Sequence, residues 1–159
     1  MDIELTVNGA RVAAAVEPQE LLLDFLRDRL RLTGAKRSCE VQVCGTCTVL
    51  VDGEPVSACT YLAHEAHGRT VLTVEGMAAL PEFELYERAF ERHAALQCGY
   101  CTPGFLLTLK ALKDAGQLRS EQDIRHGLDG NVCRCTGYRS ILAAARDIAG
   151  IDETVEETA

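Results

Sequence analysis

The chain has 159 residues, 47% hydrophobic and 25% charged, so it can bury one ordinary core or two small ones but is too short for a large enzyme. Sixteen Lys and Arg against 24 Asp and Glu give a formal charge of -8, which repels phosphate backbones and argues against nucleic acid as a partner. The sequence contains neither a secretory signal nor an apolar stretch near the ~20 residues of a membrane span. We therefore expect a cytoplasmic protein without a membrane span.

The first half of the chain is predicted to be mostly strand. Residues 3–7 alternate apolar and polar side chains, Asn8-Gly9 is the favoured hairpin dipeptide, and 11–16 returns as a second strand. Two more strands are predicted at 47–51 and 70–74. A helix between the two pairs of strands is predicted from apolar residues that share one helical face: Leu22, Phe25, Leu26 and Leu30.

The second half is predicted to be helical. Strand-like alternation stops at a short connector near 76–81, and four helical patterns follow. The third helix is expected to begin with a capping box at Ser120 and to end near Gly127 or Gly130. The core positions predicted for the other three helices are Leu85, Ala89, Phe90, His93 and Leu96; Phe105, Leu106, Leu109 and Leu112; and Ile141, Leu142, Ala145, Ile148 and Ala149.

The eight cysteines fall into two sets of four. Cys39, Cys44 and Cys47 have the spacing of plant-type ferredoxins, and Cys59 follows after the next strand and turn. The second set comprises two close pairs, Cys98 with Cys101 and Cys133 with Cys135. Thr102 is expected to cap the helix that follows Cys101, with Pro103 as its first residue, so that a positive helix end faces the thiolates.

Iron–sulfur clusters, disulfides, structural zinc and simple packing are all possible uses of these cysteines. Disulfides do not suit a reducing compartment, and packing alone does not explain a four-plus-four grouping. Zinc is the serious alternative, although zinc sites usually combine two C-x2-C pairs, whereas 39–47 and the tight Cys133-x-Cys135 pair favour iron–sulfur chemistry.

The motifs around both sets resemble those of the iron–sulfur subunit in the xanthine dehydrogenase family of molybdenum hydroxylases. They are QCGYCTPG at 97–104 and GNVCRCTGY at 130–138, together with Cys39, CGTC at 44–47 and Cys59. The resemblance covers nearly the whole chain. The length of the chain is similar to that of the stand-alone small subunits in the carbon monoxide dehydrogenase and 4-hydroxybenzoyl-CoA reductase groups.

The resemblance implies an α+β fold with two [2Fe–2S] domains. A plant-type ferredoxin-like (β-grasp) domain would span 1–76 and hold one cluster on Cys39, Cys44, Cys47 and Cys59. After a connector at 77–82, a four-helix-bundle domain at 83–150 would hold the other on Cys98, Cys101, Cys133 and Cys135. An acidic tail would occupy 151–159.

The resemblance further implies an electron-transfer subunit without a substrate pocket or catalytic residue of its own. It would receive electrons from the molybdopterin cofactor of a large subunit, with the C-terminal cluster nearest that cofactor, and pass them to an FAD subunit or another acceptor. A heterotrimer or its dimer is expected. Gln97 and the backbone at Cys135 are candidate pterin contacts, although Gln97 could instead cap its own cluster loop. Arg134 and Arg139 could pair with a partner's acidic groups or with cofactor phosphate, or could simply bridge nearby helix carbonyls.

One feature departs from the family pattern. Gln42 and Ser38 stand where many family members carry glycine, which affects the shape of the cluster loop and its hydrogen bonding to sulfide. His93 is expected to be a satisfied core or interface residue, because eight cysteines already complete two sites. Two alternatives to the relay subunit remain: a free ferredoxin-like carrier and a zinc-stabilised interaction module.

Overall fold

The computed structural model describes residues 1–151. The acidic tail expected at 151–159 therefore lies outside the described residues, apart from Ile151, which packs against the apolar core of the helical half. Among the described residues, no helix combines the length and apolar character needed to cross a bilayer.

The chain begins with the predicted β-hairpin. Strand β1 (Asp2–Val7) pairs antiparallel with β2 (Ala10–Ala15), from Asp2 opposite Ala15 to Val7 opposite Ala10. Asn8 and Gly9 have φ of 50° and 82°, the left-handed values that a type I′ turn requires at both central positions. The hairpin prediction is confirmed.

Three further strands complete a mixed sheet. These are β3 (Thr48–Val51), β4 (Glu54–Ser57) and β5 (Thr70–Leu72), and the strand order is β2-β1-β5-β3-β4. Strand β1 runs parallel to β5, while β3 pairs antiparallel with both β4 and β5. All four residues of β3 are buried because the sheet is covered at that strand, and Pro55 is tolerated because β4 is an edge strand.

The helix predicted after Pro18 is present, but it is not a regular α-helix. Helix α1 is a single turn, Leu22–Asp24, which continues as a wider π-helical turn at Phe25–Arg29. Its last hydrogen bond runs from the Leu30 N–H to the Phe25 carbonyl at 3.2 Å. Leu23 is fully buried alongside Leu22, Phe25 and Leu26, whereas Leu30 is only partly buried. The apolar face is therefore wider than a 3.6-residue period predicts.

The second half contains a short helix α2 (Val74–Ala78) and then α3 (Phe83–Arg92), α4 (Thr102–Asp114), α5 (Glu121–Gly127) and α6 (Arg139–Ala149). The stripe predicted for α3 is partly wrong. Leu85 is 39% exposed, and Leu96, beyond the end of the helix, is 47% exposed. Tyr86 is buried instead, together with Ala89 and Phe90. His93 ends the helix, and its Nε2 lies 3.2 Å from a carboxylate oxygen of Asp147, as expected for a satisfied residue.

The remaining helices follow the predictions closely. Ser120 caps α5 by accepting a hydrogen bond from the Asp123 N–H at 3.1 Å. The start of α4 differs by one residue, since Cys101 occupies the N-cap position and Thr102 is the first helical residue, without a side-chain cap. The predicted apolar positions of α4 and α6 all belong to the helical core, with Leu112, Leu142 and Ala149 at its margin.

The described residues form two apolar cores, one under the sheet and one among the helices. The first contains side chains from β1, β3, β5 and α1, and the second contains those of α3 to α6. Leu50 of β3 and Met77 of α2 belong to the second core, so the sheet and the helices pack directly on each other. The predicted α+β class is confirmed.

Candidate metal centres

The first cysteine set lies in a loop whose backbone turns its amides toward sulfur. Glu40, Gln42 and Gly45 all have left-handed φ, of 57°, 59° and 67°. This path lets the N–H groups of Val43 and Cys44 donate to the Cys39 sulfur, each at 3.4 Å. A loop of this kind stabilises negative charge on its sulfur ligands.

In this set, the pKa values of Cys39 and Cys47 are shifted in opposite directions by their surroundings. Hydrogen bonds from the backbone of Val41 and Val43 lower the pKa of Cys39 to about 6. Burial raises the pKa of Cys47 to about 12, and the neighbouring Cys59 thiol adds to that effect. Because a metal binds the thiolate, the Cys47 thiol needs a cation beside it to ionise near neutral pH, whereas the Cys39 thiol ionises more readily.

The second set brings together the start of α4 and the loop before α6. The sulfurs of Cys98 and Cys135 are 3.5 Å apart. Burial, reinforced by the neighbouring Cys133 thiol, raises the pKa of Cys101 to about 12. Burial alone would also raise the Cys133 pKa, but hydrogen bonds from Thr136 outweigh it and lower that pKa.

Thr136 and Tyr138 shape this second loop. The Thr136 N–H and hydroxyl both lie against the Cys133 sulfur, at 3.4 Å and 3.1 Å. The Cys133 N–H donates to the Tyr138 hydroxyl at 3.1 Å, and Tyr138 has φ of 68° where α6 begins. The loop is therefore held by its own polar groups, with amide and hydroxyl donors directed at sulfur.

In both sets the cysteines neighbour one another in pairs. The Cys98 and Cys135 sulfurs are 3.5 Å apart, and the Cys39 sulfur accepts a hydrogen bond from the Cys44 N–H at 3.4 Å. The Cys59 thiol contributes to the raised pKa of Cys47, and the Cys133 thiol contributes to that of Cys101. Among the described residues, no three or more His, Cys, Asp or Glu side chains gather closely enough to hold one metal ion. A tetrahedral zinc site needs its four ligands around a single point, whereas a [2Fe–2S] cluster takes one pair of thiolates on each iron. The paired donors fit the cluster.

The two cysteine loops also contact each other through their backbones. The Val132 N–H, one residue before Cys133, donates to the carbonyl of Cys44 at 2.9 Å. The Tyr100 hydroxyl, between Cys98 and Cys101, donates to the Arg37 carbonyl at 2.5 Å. We call the contact formed by residues 44–45, Gly104 and 130–132 the seam. It brings a ligand candidate of one set next to a ligand candidate of the other.

The other residues singled out in the sequence lie on the surface around these loops. Gln97, Arg134 and Arg139 are exposed, with Gln97 adjacent to the exposed Cys98 and Arg134 adjacent to the exposed Cys135. Gln42 adopts the left-handed conformation for which glycine is best suited, and its side chain accepts a hydrogen bond from the Thr60 hydroxyl at 3.2 Å. That bond ties the first loop to the turn that carries Cys59.

Sequence reasoning did not identify the contacts that Asn131 and Gly104 make at the seam. Asn131 is 4% exposed, and its side-chain amide lies against the Gly45 carbonyl at 3.4 Å. A Cβ on Gly104 would collide with that same carbonyl. Both residues occur within the two quoted motifs, but their roles depend on a contact across more than 50 residues of chain, for which local sequence contains no signal.

Family models match both halves of the chain. Residues 5–73 match a "2Fe-2S iron-sulfur cluster binding domain", and residues 73–146 match a "[2Fe-2S] binding domain".

Relatives cover more than nine tenths of the chain. It is 46% identical to 6-hydroxypseudooxynicotine dehydrogenase complex subunit beta of Paenarthrobacter nicotinovorans, over 91% of each chain. It is 43% identical to the nicotinate dehydrogenase small FeS subunit of Eubacterium barkeri, over 91% of this chain and 92% of that one. A chain in the crystal structure of quinoline 2-oxidoreductase from Pseudomonas putida 86 superimposes with a TM-score of 0.87 and 41% identity, over 94% of both chains.

Proposed function

The chain belongs to the family of small iron–sulfur subunits of molybdenum hydroxylases, and from this premise we propose in detail how it serves as their electron-transfer subunit. It carries two [2Fe–2S] binding domains and acts as part of an oxidoreductase complex. The observation that supports the role most directly is that two sets of four thiols lie on loops that meet at the seam.

We assign the ligands as follows. One cluster is held by Cys39 and Cys44 on one iron and by Cys47 and Cys59 on the other; Cys98 with Cys135 and Cys101 with Cys133 hold the second cluster in the same way. Such clusters accept and release single electrons. The protein provides amide donors to the outer sulfurs, buries the inner ones, and holds the two loops in contact.

The division of the chain follows from this assignment. Residues 1–76 form a plant-type ferredoxin-like (β-grasp) domain, 77–82 a connector, and 83–150 a four-helix-bundle domain. The order of the mixed sheet supports the first part, and the two family matches meet nearby, at residue 73.

The proposed partners are a large molybdenum-cofactor subunit and a medium FAD subunit. The helical domain's cluster would face the molybdenum subunit, with Gln97 and the backbone of Cys135 as pterin contacts, because Cys98 and Cys135 reach the surface there. The other cluster would pass electrons to the flavin or another acceptor. A heterotrimer or its dimer is the proposed assembly, and a cytoplasmic location stays a prediction.

The surface around the second cluster argues against a free electron carrier. Four apolar or aromatic side chains near Cys98 and Cys135 are more than a third exposed: Leu96, Tyr100, Val132 and Tyr138. Apolar residues grouped in this way mark a surface that a partner covers. A free electron carrier binds its acceptors transiently, through small interfaces, and does not need an exposed apolar surface of this kind.

Metal analysis of the natively purified complex is the first test. We expect about four irons and four acid-labile sulfides per chain, with two distinct electron paramagnetic resonance (EPR) signals after reduction. Zinc without sulfide would refute the cluster assignment, and elution without a molybdenum subunit would refute the relay.

Cysteine variants then test the order of the clusters. Cys101→Ala should remove one cluster and stop turnover with every acceptor, because electrons could no longer leave the molybdenum site. Cys44→Ala should remove the other cluster and chiefly block transfer to the onward acceptor, so reduction of the remaining cluster by substrate should persist. Full turnover by either variant in an assembled complex would contradict the proposed order.

A further inference from the structure

The carbonyl of Gly45 is the point on which the seam converges. It accepts hydrogen bonds from the N–H and the hydroxyl of Thr48, at 3.2 Å and 2.8 Å, both within the N-terminal half. Its third donor is the side-chain amide of Asn131, at 3.4 Å, which comes from the helical half.

The Asn131 amide also fills the space between two glycines. A Cβ on Gly45 would lie 2.5 Å from its Nδ2, and a Cβ on Gly104 would lie 3.3 Å from it. Burying an amide costs free energy unless it is hydrogen bonded, and here the bond to the Gly45 carbonyl offsets that cost. The amide therefore both fills the space and joins the two loops by a hydrogen bond.

Asn131 is itself firmly anchored and directly precedes the contact between the loops. Its N–H donates to the Leu128 carbonyl, where α5 ends, at 2.9 Å. The next residue, Val132, donates to the Cys44 carbonyl, and Cys133 follows. The Asn131 amide thus bonds the Gly45–Thr46 peptide, while the Val132 N–H bonds the preceding Cys44–Gly45 peptide. The two bonds hold together the segments that carry Cys44 and Cys133.

We propose that Asn131 is a positioning residue for electron transfer between the two [2Fe–2S] clusters. It holds the cluster loops at backbone contact and so sets the separation and coupling of the clusters. This inference rests on the proposed function, namely that both cysteine sets hold clusters. Asn131 acts through the hydrogen bond from its side-chain amide to the Gly45 carbonyl.

The test uses the native complex with Asn131→Ala and, separately, Asn131→Ser. Iron and acid-labile sulfide are measured first, and the magnetic interaction between the two reduced clusters is then recorded by low-temperature EPR. The matched control is Thr48→Val, which removes the shorter hydrogen bond to the same carbonyl but leaves the bond across the seam. Rapid reduction by substrate, followed by freezing at successive times, reports how fast the second cluster fills.

We expect both Asn131 variants to keep four irons per chain while the splitting from the magnetic interaction is reduced or lost and the second cluster fills more slowly. Thr48→Val should retain the splitting. Unchanged splitting in a fully loaded Asn131 variant would overturn the proposal, as would loss of iron from both variants, since Asn131 would then serve assembly and not positioning. Absence of iron and sulfide from the unmodified complex would instead refute the proposed function itself.

Discussion

Replacing Gly104 with alanine is expected to destabilise the folded subunit, although the same change in most helices is stabilising. Gly104 is the third residue of α4, where alanine is favoured over glycine by about 1 kcal/mol. At this position, however, a Cβ would clash with the Gly45 carbonyl oxygen. It would also lie 3.1 Å from the Gly45 carbonyl carbon and 3.3 Å from Asn131 Nδ2.

The clash should outweigh the gain in helix propensity. Two of the three neighbouring atoms belong to backbone, which cannot rotate away as a side chain can, so the loops must separate by roughly 1 Å or α4 must shift. Forcing an extra methyl into such a contact costs about 1–3 kcal/mol, and more when backbone must move. We expect a net destabilisation of about 1–2 kcal/mol, which for a chain of this size lowers Tm by roughly 2–4 °C per kcal/mol.

Thermal unfolding of the cluster-loaded protein, followed by far-ultraviolet circular dichroism and by visible absorption, measures this effect. The control is Gly130→Ala at the same seam, because a Cβ on Gly130 would meet nothing within 4 Å. That variant should unfold within about 0.5 kcal/mol of the original. A Gly104→Ala protein that is as stable as the control, or more so, would show that the loops do not meet as described.

Two more predictions concern the first cluster loop and its support. Gln42→Gly should stabilise the protein by up to about 1 kcal/mol in denaturant unfolding, because it relieves the left-handed backbone at φ 59° and loses only an exposed hydrogen bond with Thr60; a loss of stability would show that the side chain matters more. Glu75 accepts hydrogen bonds from the Gly34 N–H at 2.7 Å and the Thr73 hydroxyl at 2.6 Å. Burial would raise its pKa, but these bonds outweigh burial and lower the pKa below its ordinary 4.5. The bonds therefore add stability that is fully present above pH 4.5 and is lost as the pH falls through the lowered pKa. Glu75→Gln should make the free energy of unfolding depend less on pH on the acid side. An unchanged pH dependence would contradict this assignment.

Local signals in the sequence were sufficient for the elements with a local cause. The Asn8-Gly9 turn and the Ser120 cap each depend on residues a few positions apart. Hydrophobic periodicity did not predict burial correctly where tertiary contacts determine where a helix ends or how wide its buried face is. It could not show that α3 ends before Leu96, nor that the turn after Leu22 widens and buries Leu23 as well.

The arrangement within the site was also beyond the sequence. Spacing divides the cysteines into two sets of four but does not say that Cys98 lies beside Cys135 and Cys101 beside Cys133. That pairing depends on how α4 and the loop before α6 pack. The roles of Gly104 and Asn131 likewise appear only when the two halves are brought together, because each residue acts on a loop more than 50 positions away.

The seam has a mechanical consequence that follows from its composition. Side chains change rotamer within picoseconds to nanoseconds, whereas packed and hydrogen-bonded peptide groups have no rotamers to exchange. At the seam the carbonyls of Cys44 and Gly45 meet the backbone at Val132 and the backbone of Gly104 directly, with only the short amide of Asn131 between them. The spacing of the two loops is therefore expected to vary little on the picosecond-to-nanosecond timescale.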